Sequence, residues 1–331
     1  MLFIMPCVRT IAVINQKGGV GKTTTVANLG AAIAARGHSI CLIDLDPQSH
    51  LTLHLGVEPT STQAGVYELL TDSSATFAQA VVKVSDKLSL VPAVIDLAAA
   101  EVELAGTIGR EQILRDKLAD AGANHNFVMI DCAPSLGLLT LNALAAADDV
   151  LIPLQPHFLA LQGLGKLLET VSLVQKRINP RLRVAGVVLC MWESNTRLSG
   201  EVLADLQGFF DASRGSSTPW ANAQIFQNMV RRNVKLAECP SYGKTIFDYE
   251  PASRGAEDHW ALADEILAAL KATSPSAPQA STLPQDEAQP SPLPQEASPV
   301  AENPAAAQAP VQQAEQSPDE SIANDPPSHN A

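Results

Sequence analysis

Nowhere in the 331 residues is there an apolar run long enough to cross a bilayer as a helix, which takes about 18 residues or more. The opening MLFIMPC is too short an apolar run for a signal peptide. Cysteine is scarce: five are present, an odd number, and no two form a C-x-x-C pair, which argues against a zinc site or a secreted disulfide framework. These absences predict a soluble protein of the reducing cytoplasm, neither exported nor membrane-bound. Lysine and arginine are missing altogether from residue 273 onward, where eight carboxylates stand. The net charge of -13 is therefore uneven, and residues 1–272 carry only -5, which leaves room for local basic patches. Residues 273–331 also lack apolar periodicity and hold 12 of the 23 prolines among Ala, Gln and Ser. Such a segment cannot bury enough surface to offset its ordering entropy, so it is expected to be a disordered acidic tail. It would serve either as an inert solubilising arm or to recruit a partner.

In residues 1–272, short β-branched runs alternate with helix-length segments. The runs are TIAVIN (10–15), SICLIDLD (39–46), KLSLVPA (87–93), NFVMIDCAP (126–134), DVLIPLQP (149–156) and RVAGVVLCM (183–191). Most are apolar without alternation, as strands covered on both faces should be. TTTVANLGAAIAARG (23–37) and DHWALADEILAALK (258–271) read as helices, the first closing at Gly37. The order implies an α/β fold with a doubly wound, mostly parallel sheet and helices on both faces, of the P-loop NTPase type. Its ligand should lie beyond the carboxyl ends of the strands.

NQKGGVGKTTT (15–25) nearly fits the phosphate-loop pattern G-x-x-x-x-G-K-[ST], but Gln16 stands where the first glycine belongs. The loop follows a strand and opens a helix, so backbone N–H groups of Gly18, Gly19, Val20 and Gly21 can turn around phosphate oxygens at a helix N-terminus. Lys22 would reach the β- and γ-phosphates, Thr23 would ligate Mg²⁺, and Thr24 continues the motif. Asp44 and Asp46, two apart on an extended chain, point toward one site. Asp131 ends an apolar strand in the Walker B manner. Cys132 after it reads as a small buried thiol.

K-G-G-V-G-K-T-T resembles the deviant Walker A motif of the ParA/MinD family of ATPases, and NQKGGVGKTTT resembles its ParA/Soj branch, in which Gln before the signature lysine is usual. The resemblance implies ATP and Mg²⁺ as cofactors and a homodimer when ATP is bound, with Lys17 of each subunit inserted toward the other's phosphates. A cation arriving in trans stabilises charge on the transferring phosphoryl group as an arginine finger does. DLDPQ is similar to the family's switch I, which gives Asp46 the positioning of the attacking water and Asp44 a place in the magnesium shell. Cys132-Ala133-Pro134-Ser135 is similar to switch II, with Ala133 for the usual first proline. VRRNVKLAECPSYGKTIFDYEPASRGAE (230–257) resembles the family's adenine-side segment. There Asn233 can offer amide hydrogen bonds to a base, while Arg231 replaces a proline.

Soj-like relatives bind DNA non-specifically as ATP dimers. Arg232 matches one of the arginines used, whereas Asn195 stands in the other's place with Arg197 two residues on. With Arg231, Lys235 and Lys244 these could form a basic strip for phosphate contacts. The resemblance thus implies a partitioning or positioning ATPase, associated with the nucleoid and stimulated by a ParB-like activator. Two other classes share parts of this pattern. A MinD-like membrane-cycling ATPase would end in a basic amphipathic helix, unlike this acidic, proline-rich end. An iron–sulfur reductase of the nitrogenase iron-protein type needs a second cysteine in convincing context besides Cys132. Chromosome or plasmid origins, carboxysomes, chemotaxis clusters and cellulose-synthesis assemblies all stay open as cargo.

Overall fold

The computed structural model describes residues 8–272 apart from 60–63, 158–159 and 195; the tail at 273–331 and Asn195 therefore lie outside the described residues. The strands are β1 (Arg9–Val13), β2 (Ile40–Leu45), β3 (Val82–Lys83), β4 (Leu88–Val91), β5 (Phe127–Cys132), β6 (Asp149–Leu154), β7 (Arg183–Trp192), β8 (Gln224–Ile225) and β9 (Val230–Arg231). The helices are α1 (Lys22–Ala35), α2 (His50–His54), α3 (Val66–Thr71), α4 (Phe77–Ala80), α5 (Leu97–Glu103), α6 (Ile113–Lys117), α7 (Leu138–Ala146), α8 (Ala160–Arg177), α9 (Arg197–Ser213), α10 (Val234–Glu238), α11 (Ile246–Tyr249) and α12 (Arg254–Ala272). Each of the six apolar runs forms a strand of one sheet, ordered β3-β4-β2-β5-β1-β6-β7-β8 with β9 paired to β7. All pairings are parallel except β3 with β4.

Alternation along the central strands explains why they are apolar throughout. Ile11 and Val13 of β1 enter one core with Leu42 of β2 and Met129 of β5, beneath α1 and α12. Ala12, Ile43, Val128 and Ile130 enter the other, beneath α5, α7 and α8. A side-chain period of two on a strand covered on both faces gives each neighbour a different core. Among the described residues no helix is long and apolar enough to cross a membrane.

The sheet brings the chemistry to one edge. β1 lies between β5 and β6, and β2 pairs with β5 on the far side from β1. In register, Asp44 stands opposite Asp131, and Val13 opposite Asp131 on its other flank. The loop leaving β1 therefore passes directly over both carboxylates, where the chain order reverses and a crevice opens.

Candidate functional site: a phosphate loop over three carboxylates

The loop between β1 and α1 is shaped by its glycines. Gly19 (φ 70°) and Gly21 (φ 95°) lie in the left-handed region that side chains disfavour, and Gly21 is the residue from which α1 starts. Asn15 fixes the entrance: its Nδ2 donates to the Pro153 carbonyl of β6 (2.7 Å) and its Oδ1 accepts from Lys17 N–H (3.0 Å). Val20 is buried, while Gly18 and Gly19 are exposed with no atom near where a Cβ would stand. The loop is thus anchored at its base and open above, with α1's first N–H groups facing the opening.

The two lysines of this loop differ in setting. Lys22 is 7% exposed, and its Nζ donates to the Lys17 carbonyl at 3.3 Å. Burial lowers its pKa, and the Asp131 and Asp46 carboxylates offset part of that. Lys17 is exposed, and its ammonium makes no hydrogen bond or ion pair with any described residue. One cation serves the interior of the loop; the other faces outward.

Beneath the loop, Thr23 Oγ1 donates to Asp131 Oδ2 at 2.7 Å. Asp131 is 1% exposed and its Oδ1 has no partner among the described residues. Burial, then the nearby Asp44 carboxylate, raises its pKa well above the usual range. A buried carboxylate oxygen without a donor, next to a threonine hydroxyl, fits a hard divalent cation, whose charge would relieve both strains. Thr23 and Asp131 would hold Mg²⁺ there, directly or through water.

Asp44 is fully buried and engaged by the protein itself. Its Oδ2 accepts from Thr52 N–H (2.8 Å) and Thr52 Oγ1 (2.6 Å), and its Oδ1 accepts from Asp46 N–H (3.3 Å). Burial still raises its pKa to about 6. Asp46 is half-buried, and its Oδ1 accepts only from Gln48 N–H (3.0 Å). Its other oxygen is therefore free to orient a water. Ser49, where this turn enters α2, is buried in the left-handed region (φ 55°), a conformation that persists only when its surroundings impose it.

Beside the loop a pocket of about 260 Å³ is bounded by Gly21, Thr24 and Thr25, by Cys190 and Met191 at the end of β7, and by residues 230–234, 236 and 237. Met191 also has a positive φ, 52°. Asn233 caps α10, its Oδ1 accepting from Lys235 N–H at 2.8 Å, which leaves Nδ2 to donate toward a ligand. Arg231 lines the same pocket but is clamped. Its Nε and Nη2 reach Asp258 (2.9 and 2.5 Å) and its own N–H donates to Asp258 Oδ2 (2.9 Å), a bond that proline could not make.

The basic residues expected to meet DNA are paired with carboxylates. Arg232 binds Glu193 (2.6 Å), Arg197 binds Glu201 (3.1 Å), and Lys235 binds Glu238 (2.9 Å). All three pairs are exposed or half-exposed, and such pairs contribute about 0–1 kcal/mol. They can therefore exchange a carboxylate for a phosphate. Cys132 is buried with its thiol pushed well above its ordinary pKa by burial, so it is poorly suited to supply a thiolate. Sequence reasoning missed Thr52, Asp258 and the strained Met191, because no short motif marks residues that act from neighbouring elements.

A family model described as an AAA domain matches residues 8–184. The sporulation initiation inhibitor protein Soj of Bacillus subtilis is 43% identical over 260 residues, covering 78% of this chain and 98% of that protein. The chromosome partitioning protein ParA of Myxococcus xanthus is 41% identical, covering 82% and 91% respectively. A solved Mycobacterium smegmatis structure, described as cobyrinic acid a,c-diamide synthase with bound ADP and magnesium, is 37% identical over 80% of this chain and 96% of that one, with a TM-score of 0.67.

Proposed function

Because the chain belongs to the ParA/Soj family of deviant Walker A ATPases, we propose that it partitions DNA or positions a cellular cargo by cycling between an ATP-bound dimer on DNA and a released monomer. It is an ATPase that uses ATP and Mg²⁺, the ligands carried, as ATP analogue and magnesium, by the Mycobacterium smegmatis relative. Lys22 and the loop N–H groups bind the phosphates, Thr23 and Asp131 hold the metal, Asp44 lies behind them, and Asp46 orients the attacking water. Asn233 and the pocket beside the loop receive the base.

The observation that carries the dimer is the outward, unpaired Lys17 five residues from the buried Lys22. A cation at the lip of a phosphate loop cannot neutralise its own site's interior, but it can enter the loop of a second copy. Two copies face to face would also double the Arg197, Arg232 and Lys235 strip. Dimerisation would thereby gate DNA affinity, and a ParB-like activator would end the bound state by stimulating hydrolysis. The protein would act in the cytoplasm on the nucleoid, with no membrane partner.

The test is binding of unrelated double-stranded DNA sequences by the full chain with ATP and Mg²⁺, read during a salt titration. Binding should require ATP, weaken steeply with salt, and vanish in Lys22→Ala. Binding that ignores nucleotide, or that Lys22→Ala retains, would overturn the gating.

A further inference from the structure

α5 is apolar on both sides. Leu97, Ala100 and Leu104 face the core. On the opposite side Ile95 (66% exposed), Ala98, Ala99 and Val102 (77% exposed) follow helical spacing, and Ile108 just beyond is fully exposed. An apolar exposed stripe with a polar rim marks a binding face. The rim here is acidic. Glu103, Asp96 and Glu68 all act on the Tyr67 hydroxyl, which donates to Glu103 (3.0 Å). Arg110, which follows α5, is paired with Glu111 and bonded to the Ala105 carbonyl.

This segment also touches both switches. At its start, Ala93 N–H donates to Thr52 Oγ1 (3.0 Å), and the same hydroxyl donates to Asp44. On α5 itself, Glu101 Oε1 accepts from Leu139 N–H (3.3 Å) and covers Gly137, capping α7 from outside just after the switch II turn. Residues 93–101 therefore bridge the end of β2 to the element that follows Asp131.

We propose that the outer face of α5, with Ile95, Val102 and Ile108, is the docking site for a basic amphipathic segment of a protein partner, and that docking acts on the nucleotide site through Ala93–Thr52 and Glu101–Leu139. A second copy of this chain is the less suitable occupant, since a two-fold contact would set the same carboxylates against each other. The docking stands on the exposed face alone; its coupling to turnover rests on the ATPase reading.

The experiment uses the full chain and a synthetic amphipathic helix with leucine along one face and lysine along the other, followed by fluorescence anisotropy without nucleotide. Saturable binding is expected, weakened about tenfold or more by Ile95→Glu/Val102→Glu and by scrambling the peptide at constant composition. The double variant should keep its basal ATP turnover and thermal melt. In the wild type the peptide should change ATP turnover, and Glu101→Ala, which removes the acceptor of Leu139 N–H, should keep peptide binding while losing that change. Equal binding by wild type and double variant would show that charge alone attracts the peptide and would overturn the site. Loss of ATP-dependent dimerisation in the double variant would instead assign the face to a second copy. Peptide that binds at α5 without altering turnover would overturn the coupling and leave the ATPase reading intact.

Discussion

Lys17 and Lys22 lie in one loop, yet one is solvated and the other buried over carboxylates, so their substitutions should fail differently. Lys22→Ala removes the charge inside the loop and with it nucleotide binding, whereas Lys17→Ala leaves a loop that still binds. A second residue-scale contrast lies beneath. Asp44 depends on Thr52, whose hydroxyl donates to Asp44 and accepts from Ala93 N–H. Thr52→Val strands a buried N–H and removes one donor from a buried carboxylate, and should cost about 2 kcal/mol in urea unfolding. A variant as stable as wild type would mean the Asp44 contacts add nothing. The phosphate loop, Asp44, Asp46 and Asp131 were legible in the sequence because each motif is contiguous. Thr52 was not, since only folding of α2 brings it back to a carboxylate eight residues earlier.

At the scale of elements, α1 lies close on β2 because Gly30 has no side chain: a Cβ there would stand 2.7 Å from Leu42 Cδ2. Gly30→Val should therefore overpack this contact and destabilise by about 1–3 kcal/mol, read as a lower urea midpoint. An unchanged midpoint would show that Leu42 can move aside. The long strands and the helices at 23–37 and 258–271 could be read from composition, as an apolar run or a 3.6-residue period; α8 and α9 were not read. β3, β8 and β9 could not be, because strands of two residues carry no period. The start of α12 at Arg254 also lies ahead of the apolar pattern that begins at 258, since helix ends are set by capping more than by burial. The clamp between Arg231 and Asp258 joins β9 to α12 and was invisible for a further reason: its partners are 27 residues apart.

Across the whole molecule, stability should depend on pH through a buried pair of imidazoles. His54 of α2 and His259 of α12 are both fully buried; among the described residues His259 Nε2 has no partner, and a bond to the Lys244 backbone offsets only part of the cost of burying His54. Burial, with His259 beside it, lowers His54 to about 4, and burial lowers His259 also. Between about 6.5 and 4 the unfolded chain then holds protons that the folded chain refuses, so stability falls as pH falls through this window. At pH 5 the loss attributable to His54 is about 2 kcal/mol. Asp44, raised to about 6, acts in the opposite sense, binding its proton more readily when folded and easing its cost as pH falls. Comparison with His54→Leu cancels that contribution, and the variant should lose less stability than wild type between pH 7.5 and 5. Parallel losses would remove His54 from the account.

If Lys17 of a second subunit completes each nucleotide site, two inactive variants should complement each other when mixed. Lys17→Ala retains its own Asp46, and Asp46→Ala retains a Lys17 to lend. Each alone should hydrolyse ATP far below wild type. Mixed in equal amounts before ATP is added, half of the dimers would pair the two variants and hold one complete site, giving about a quarter of wild-type turnover. A mixture no more active than its parts, or a Lys17→Ala protein that turns over ATP normally by itself, would contradict the shared site.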